Sequence, residues 1–255
     1  MSRKILGLER QKVLFGNQTR VAFILALLIL LSWMLRLYQI DLRSIWWDES
    51  LSLHRAQHNW QYILSNRIDF PGISTSDQHP PLYFVLLSLA TRLAGESDLV
   101  LRLPSAAFAT LIIPLLYALG ARLRSRRLGL VAALLAALSP LYQWYAQEAR
   151  MYTLVTVVGA LSLYCLLRAL SHRGTGRSTR LKWYLLTVVS VICGLVTQYL
   201  FALSLVAAAP LLVVAIWGQS LRAPEGPRHG YHACRRTRWW LAIAGLVIVG
   251  LVLFG

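Results

Sequence analysis

Acidic residues and cysteines are scarce in this 255-residue chain, and both scarcities narrow what the protein can be. Asp and Glu number 10 against 26 Lys and Arg, and only 14% of residues are charged while 57% are hydrophobic. That composition excludes an ordinary soluble domain and is typical of a polytopic membrane protein. The three cysteines have neither metal-ligand spacing nor an obvious disulfide partner, so we expect them to be chemically inert.

Motifs for nucleotide-driven chemistry are also missing. The sequence contains no Walker-type glycine-rich loop, no dinucleotide fingerprint, no His-Glu-x-x-His and no Gly-x-Ser-x-Gly. The net charge of +16 would suit a nucleic-acid partner, but the basic residues lie in short segments between apolar runs and form no basic folded domain. We therefore expect no nucleic-acid partner and interpret the basic segments as orientation signals of a membrane protein.

Seven apolar runs approach the length of about 20 residues that a membrane-spanning helix needs. The predicted spans are 21–40, 104–121, 129–145, 149–170, 183–198, 200–217 and 239–255. No small-x-small cleavage site follows the first run, so we interpret it as a retained span and not as a signal peptide. The sequence thus predicts an all-α polytopic membrane protein.

The distribution of basic residues predicts the orientation of these spans. Lys and Arg collect in four segments: 1–20, 122–127, 171–182 and 218–238. The positive-inside rule places all four in the cytoplasm. The acid-rich segment 41–103 then lies outside the cell membrane, together with the short turns 146–148 and 198–199. We expect a cytoplasmic N-terminus, 1–20, followed by a transmembrane module, 21–255.

The predicted outer segment, 41–103, is expected to hold interfacial helices. Residues 45–58 interleave Trp and Leu with polar groups, and Asn59 can cap a second short helix, a pattern typical of helices that lie in the membrane interface. The polar stretch 73–78 is predicted to be a flexible loop. Pro81 to Gly95 is apolar but short, so we predict a helix on or dipping into the outer face, with a short tilted span as the alternative.

Two adjacent carboxylates, Asp48 and Glu49, follow two tryptophans in this outer segment. Carboxylates near hydrocarbon are costly and are usually retained for chemistry. Consecutive helical residues diverge by about 100°, so only one of the two need face a cavity. A partly buried carboxylate can serve as a general base. The alternative is a solvated pair, or an ion pair with Arg43 or Arg55.

A second group of polar residues, Glu148, Arg150 and Tyr152, falls at the predicted outer junction of two spans, on the same side as Asp48. If the run is helical, Glu148 and Tyr152 are four residues apart and share a face. Acids, an arginine and several aromatics at one face favour a site for a polar substrate. The alternative is a simple ion pair between Glu148 and Arg150.

Three further polar residues are candidates for the site or for the membrane boundary, and the roles of two of them stay open. His79 stands before two prolines at a helix start and could be a ligand, a donor to phosphate or only a capping residue. Arg102 lies at the predicted outer mouth of a span, where a guanidinium suits a phosphate but could also only snorkel to the headgroups. Arg36 is expected only to snorkel.

Four motifs occur in the following order: Trp47-Asp48-Glu49, His79-Pro80-Pro81-Leu82-Tyr83-Phe84, Arg102-Leu103-Pro104-Ser105-Ala106 and Gln147-Glu148-Ala149-Arg150-Met151-Tyr152. In this order and context the chain resembles, over roughly residues 15–217, bacterial glycosyltransferases related to protein O-mannosyltransferases (glycosyltransferase family 39-like). These are polytopic enzymes with the GT-C fold, so the resemblance implies a GT-C-like helix bundle.

The resemblance also implies an activity: transfer of a sugar, mannose by analogy, from a polyprenyl-phosphate donor to an acceptor hydroxyl on the extracytoplasmic face, with inversion. Asp48 would act in catalysis, with Glu49 supporting it or helping to bind the acceptor. Glu148 would line the same cavity, and His79 and Arg102 would face the donor phosphate. Arg150 competes with Arg102 for that role.

The cofactor and the class of protein stay open at this stage. No cofactor is required, although Asp48, Glu49, Glu148 and His79 are oxygen and nitrogen ligands that could hold a divalent metal ion. Alternatives to an enzyme are a transporter or flippase of a lipid-linked sugar, or a non-catalytic subunit. Transporters place polar residues near the bilayer midplane, whereas here they concentrate at one face. Such enzymes usually continue through further spans, so the chain, which stops at Gly255 inside an apolar run, is expected to be a truncated member.

Overall fold

In a computed structural model of the chain, residues 2–171 and 177–206 are described, with side chains from 18 to 170 and from 178 to 206. This part consists of helices and one two-stranded hairpin. In chain order the elements are α1 (Ser2–Leu37), α2 (Trp47–Gln57), α3 (Trp60–Leu64), β1 (Arg67–Phe70), β2 (Ile73–Ser76), α4 (Leu82–Ala94), α5 (Asp98–Leu123), α6 (Arg126–Leu138), α7 (Pro140–Ala146), α8 (Tyr152–Ser171) and α9 (Arg177–Thr197).

Four segments of these helices are long and apolar enough to cross a membrane: Gln18–Leu37, Asp98–Leu123, Tyr152–Leu170 and Ser178–Thr197. They coincide with the first, second, fourth and fifth predicted spans, and they confirm an all-α polytopic membrane protein. The predicted span 200–217 is described only as far as residue 206, and 239–255 lies outside the described residues.

The third predicted span, 129–145, is wrong as a single straight helix. Helices α6 and α7 are bent by 59° where they meet, so they form either a broken span or a re-entrant loop. The cause is local: Pro140 disfavours the helical conformation of the residue before it, and Ser139 is extended (φ −67°, ψ 123°). The Ser139 hydroxyl accepts a hydrogen bond from the Tyr142 amide and so caps the new helix.

Helix α5 begins six residues before the predicted start of its span. Ser97 accepts a hydrogen bond from the Val100 amide at its N-terminus, and Asp98 lies in the first turn, where a carboxylate complements the helix dipole. Helix α5 packs against α1, α6 and α8. Its end approaches α6 so closely that a Cβ on Gly120 would lie 2.7 Å from the Gly129 Cα. Because of this early start, Arg102 lies within the first turns of α5.

The predicted outer segment holds α2, α3 and α4, as expected, but the polar stretch 73–78 is not a flexible loop. Residues Ile73–Ser76 pair antiparallel with Arg67–Phe70, and Phe70 stands opposite Ile73. Gly72 turns the chain with a φ of +83°, a conformation that glycine adopts without steric cost. The prediction failed because the segment is polar and each strand of the hairpin is only four residues long.

Helix α4 is short for a membrane span. Its 13 residues rise about 20 Å at 1.5 Å per residue, against a hydrocarbon core of about 30 Å. Its Tyr83, Phe84 and Leu87 side chains are buried against neighbouring elements. This length favours the predicted interfacial helix over the tilted span.

Arg36 contradicts the expectation that it only snorkels. Its side chain is fully buried (0% exposed) where α1 packs against α6. The guanidinium donates to the Ser32 carbonyl at 3.1 Å, to the Ser32 hydroxyl and to the Ala136 carbonyl at 3.3 Å. Arg36 therefore joins two helices inside the bundle.

Candidate active site

The polar residues singled out in the sequence lie at one end of the bundle. Asp48 and Glu49 occupy the first turn of α2, where carboxylates are stabilised by the positive end of the helix dipole. Arg102 comes from the start of α5, and residues 147–151 form a non-helical link between α7 and α8. The fold therefore brings together side chains that are up to 102 residues apart in the sequence.

Glu49 and Arg102 form a buried bidentate ion pair. Arg102 Nε donates to Glu49 Oε1 at 2.9 Å, and Arg102 Nη2 donates to Oε2 at 2.7 Å. Both side chains are only 2% exposed. Glu49 Oε1 also accepts from the Ala149 amide at 2.8 Å, which ties α2 and α5 to the α7–α8 link. Glu49 thus pairs with Arg102 and not with Arg43 or Arg55, which the sequence had offered as alternative partners.

The remaining donors of Arg102 are also occupied by protein. Nη1 donates to the carbonyls of Ile40 at 2.7 Å and Arg43 at 2.9 Å, and Nη2 reaches the Ser44 carbonyl at 3.4 Å. A guanidinium has five N–H groups, and here each one has a protein acceptor. Arg102 was expected to face a donor phosphate. Instead its guanidinium is bonded to the protein itself and fixes the connection between α1 and α2.

Asp48 has a different environment from its neighbour. Its side chain is 32% exposed, and Oδ2 lies 3.7 Å from Nη2 of Arg150, whose side chain is 6% exposed. The carboxylate is therefore accessible and close to a positive charge. A sugar or hydroxyl group could reach it without breaking a strong internal bond.

The side chain of Arg150 makes only long hydrogen bonds. Its Nη1 lies 3.4 Å from the Asp48 carbonyl and from the Ser52 hydroxyl, and its Nη2 lies 3.4 Å from His79 Nε2. Its Nε is buried and has no hydrogen-bond partner among the described residues. A nearly buried guanidinium with unused donors is well suited to an anionic ligand.

Asp77 and Arg55, which the sequence analysis did not assign to the site, hold His79 in place. Asp77 Oδ1 accepts from the His79 amide at 2.9 Å and lies 2.8 Å from His79 Nδ1, while Oδ2 accepts from Arg55 at 2.6 Å. Burial opposes ionisation of Asp77, but the bonds from His79 and Arg55 outweigh it and lower the pKa of this carboxyl group. The only sequence signal was an Asp two residues before the His.

This arrangement determines which nitrogen of His79 faces the site. An ionised Asp77 accepts a hydrogen bond from the Nδ1–H group, which leaves Nε2 to accept from Arg150. The side chains of Asp77, His79, Arg150 and Asp48 thus form a continuous chain of polar contacts.

Glu148 lines a cavity of about 400 Å³. Asp48 is not among the residues that line it, so this cavity does not hold both acids as the resemblance implied. The cavity is lined by Arg43, Ser44, Trp46, Glu49, Arg102, Trp144, Gln147 and Glu148. Burial raises the pKa of Glu148; a hydrogen bond from Trp144 opposes that shift, and the Glu49 carboxylate adds to it. Glu148 and Arg150 do not form the expected alternative ion pair within the described part of the chain.

Tyr152 is the first residue of α8 and lies beside Arg150, whose guanidinium carbon is 5.9 Å from the Tyr152 ring centre. It also makes an edge contact with Tyr145, with ring centres 5.0 Å apart. The prediction that Tyr152 shares a helix face with Glu148 is wrong, because Glu148 lies in the non-helical link that precedes α8.

The possible metal ligands are not gathered into one set. Among the described residues, no group of three or more His, Cys, Asp or Glu side chains is placed to hold a metal ion. Glu49 is taken up by Arg102, and Asp48 faces Arg150.

A helical bundle with four candidate spans, in which Asp48, Glu49 and Glu148 lie at one end, defines a polytopic membrane protein with a polar site at that end of the bundle. Residues 78–226 match the family model described as dolichyl-phosphate-mannose-protein mannosyltransferase. The match covers more than half of the chain, and the protein belongs to this family of GT-C membrane glycosyltransferases. No curated protein matches the sequence.

The family match includes His79, Arg102, Glu148, Arg150 and Tyr152. It begins after Asp48 and Glu49, so these two residues enter the site through their contacts with the matched region. Membership of the family makes the protein a membrane glycosyltransferase in general terms.

Proposed function

We propose that the protein transfers a sugar from a polyprenyl-phosphate donor to an acceptor hydroxyl, with inversion, and that Asp48 is the base. Mannose is the sugar that the family description suggests. One observation carries the proposal: an accessible carboxylate, Asp48, lies 3.7 Å from a nearly buried arginine, Arg150, with unused donors. Transfer of the sugar needs a base for the acceptor hydroxyl and, beside it, a positive group for the departing phosphate.

In the proposed reaction, a carboxylate oxygen of Asp48 takes the proton from the acceptor hydroxyl. The hydroxyl oxygen then attacks the anomeric carbon and forms the new glycosidic bond. The bond between that carbon and the donor phosphate oxygen breaks, and its electron pair stays on the departing lipid phosphate. Attack on the face opposite the leaving group inverts the anomeric configuration, and a positive group near the phosphate stabilises the growing charge.

Arg150 is better suited than Arg102 to bind the donor phosphate. Every N–H group of Arg102 already has a protein acceptor, whereas the Nε of Arg150 has none among the described residues and its other contacts are long. We therefore assign the phosphate to Arg150 and assign Arg102 the task of holding Glu49. This assignment differs from the role that the resemblance implied for Arg102.

His79 positions Arg150 in this proposal. Asp77 keeps the proton on Nδ1, so that Nε2 accepts from the guanidinium at 3.4 Å and orients its remaining donors. His79 is also 33% exposed and can contact the donor directly. Tyr152, which stands over the same guanidinium, would form part of the donor-binding wall.

Glu148 and its cavity are proposed to bind a hydroxyl-rich part of a substrate. Trp46 and Trp144 supply aromatic walls, and Arg43 lies over the Trp144 ring at 4.3 Å. The raised pKa makes the carboxyl group of Glu148 easier to protonate, so it can donate as well as accept hydrogen bonds to sugar hydroxyls.

We further propose that this end of the bundle faces the extracytoplasmic side of the cell membrane, with residues 1–20 in the cytoplasm. The segment that bears the site contains seven of the ten acidic residues, while Arg122, Arg126 and Arg127 lie at the opposite end. That asymmetry agrees with the positive-inside rule.

The test is transfer from a panel of radiolabelled polyprenyl-phosphate sugars in membranes that contain the wild type or Asp48→Asn. We expect at least one donor to support transfer, and the substitution to lower the rate by about 10³-fold, within the range for loss of a general base. Glu96→Gln is the matched control, because Glu96 is exposed and bonds only Gln57. Addition and removal of divalent cations in the same assay would settle metal dependence.

Two results would contradict the proposal. Full transfer by Asp48→Asn would remove Asp48 as the base. The absence of transfer from every donor, with the wild type folded and inserted, would favour a transporter or a non-catalytic subunit.

A further inference from the structure

The end of the bundle farthest from the candidate active site contains two arginines whose Nε atoms have no hydrogen-bond partner among the described residues. Arg122 lies in the last turn of α5, and Arg168 lies near the end of α8. Arg122 is 20 residues beyond Arg102 on the same helix, which corresponds to about 30 Å. The Nε atoms of both are buried, and no described residue accepts a hydrogen bond from either.

The two side chains are near each other, and that of Arg168 is held in place by aromatic rings. Helices α5 and α8 pack together, and the charges of Arg122 and Arg168 are close enough to repel. The Arg168 guanidinium lies 4.7 Å from the centre of the Trp183 ring and 5.6 Å from that of Tyr164, and these two rings meet edge to face. Aromatic faces hold the cation without using the N–H groups in its plane.

Internal carboxylates that could neutralise this pair are scarce. Every acidic side chain that the structure describes belongs to the segment 41–98 or is Glu148, which lies at the other end of the bundle. The rest of the sequence contains only Glu9 and Glu225. Two partly buried cations without a counter-charge are costly, so the arrangement calls for an anion from outside the described chain.

We propose that Arg122 and Arg168 bind the phosphate of an anionic membrane lipid. A phosphate fits the planar fork of a guanidinium, and basic pockets between spanning helices suit lipid headgroups. The lipid is favoured over a soluble phosphate because the site lies where two apolar helices end, beside Trp183 and Tyr164, which are residue types enriched at the membrane surface. This site is independent of the proposed transferase activity.

The experiment measures lipids that remain bound to the purified full chain by native mass spectrometry, after reconstitution in mixed phosphatidylglycerol and phosphatidylcholine. We expect the wild type to retain phosphatidylglycerol selectively. Arg122→Gln with Arg168→Gln should reduce that retention about tenfold, as expected when charge-assisted hydrogen bonds to a phosphate are lost. The matched control is Arg126→Gln with Arg127→Gln, which removes the same charge from two exposed residues at the same end and should retain the lipid.

Three outcomes would overturn the proposal: unchanged retention in the Arg122 and Arg168 variant, equal loss in both variants, or displacement of the lipid by excess inorganic phosphate. The last would identify a site for soluble phosphate. If the Gln variant does not fold, Arg122→Lys with Arg168→Lys keeps both charges and removes the forks. Retention should still fall in that variant, and wild-type retention there would also overturn the proposal.

Discussion

Two carboxylate–arginine pairs lie side by side at one end of the bundle and have opposite properties. Glu49 and Arg102 are 2% exposed and joined by two bonds of 2.7 and 2.9 Å, whereas Asp48 is 32% exposed and 3.7 Å from Arg150. The two acids are adjacent in the sequence, but consecutive residues of a helix point about 100° apart. The closed pair is therefore expected to maintain the structure, and the open pair is left available for a ligand.

The closed pair should show the largest effect on stability. Arg102→Gln leaves Glu49 buried without its counter-charge and frees the Ile40 and Arg43 carbonyls, so the free energy of unfolding should fall by about 3–5 kcal/mol. Thermal unfolding in detergent measures the effect. Arg67→Gln, on the exposed hairpin, is the control and should change little. A wild-type midpoint for Arg102→Gln would show that the pair does not hold the site together.

The open pair should instead affect catalysis. Arg150→Lys keeps the positive charge but loses the fork that binds a phosphate, so kcat/KM for the lipid-linked donor should fall about 100-fold. The unfolding midpoint should change little, because the hydrogen bonds of the Arg150 side chain are all long. Equal losses of stability for Arg150→Lys and Arg102→Gln would contradict the claim that only the closed pair maintains the structure.

Asp77, which holds His79 beside the open pair, should make the stability of the fold depend on pH. Its folded-state pKa is lowered by His79 and Arg55, so it contributes stability that is present above its ordinary pKa and is lost as the pH falls through the lowered value. Wild type should therefore lose stability below about pH 4, and Asp77→Asn should lack this component. Unfolding midpoints measured from neutral to acidic pH test the sign. Parallel pH profiles for the two proteins would contradict it.

Glu148 should show the smallest effect on stability, and in the opposite direction. Its folded-state pKa is raised mainly by burial, so the ionised form destabilises the folded state at pH values above its ordinary pKa. Glu148→Gln should therefore unfold at a slightly higher temperature than wild type at neutral pH while binding the sugar less well. A lower unfolding temperature for this variant would show that the carboxylate is stabilising.

The sequence predicted the parts of the fold that depend on local composition. Four spans were found because apolar length is readable along the chain. The bend in the third predicted span was missed, because the span was predicted from its apolar length and Pro140 was not taken into account. The β1–β2 hairpin was missed because its strands are short and polar and gain their pairing only from each other. The helix α4 itself was predicted, and its 13 residues are short for a span.

For the candidate site, the sequence indicated which residues gather but not how they pair. Glu49 and Arg102 are 53 residues apart, and Asp48 lies about a hundred residues from Arg150 in the sequence, so their pairing depends on how α2, α5 and the α7–α8 link pack. Arg102 therefore looked like a phosphate ligand. Its five contacts with protein become visible only once the connection between α1 and α2 is in place.

The most direct test compares Asp48→Asn with Glu49→Gln, and measures both thermal unfolding and transfer from a polyprenyl-phosphate sugar. We predict that Asp48→Asn unfolds like wild type and does not transfer the sugar. We predict that Glu49→Gln unfolds at a lower temperature and that its folded fraction still transfers it. Transfer by Asp48→Asn, or a fully stable but inactive Glu49→Gln, would contradict the division of the two adjacent acids into a base and a structural residue.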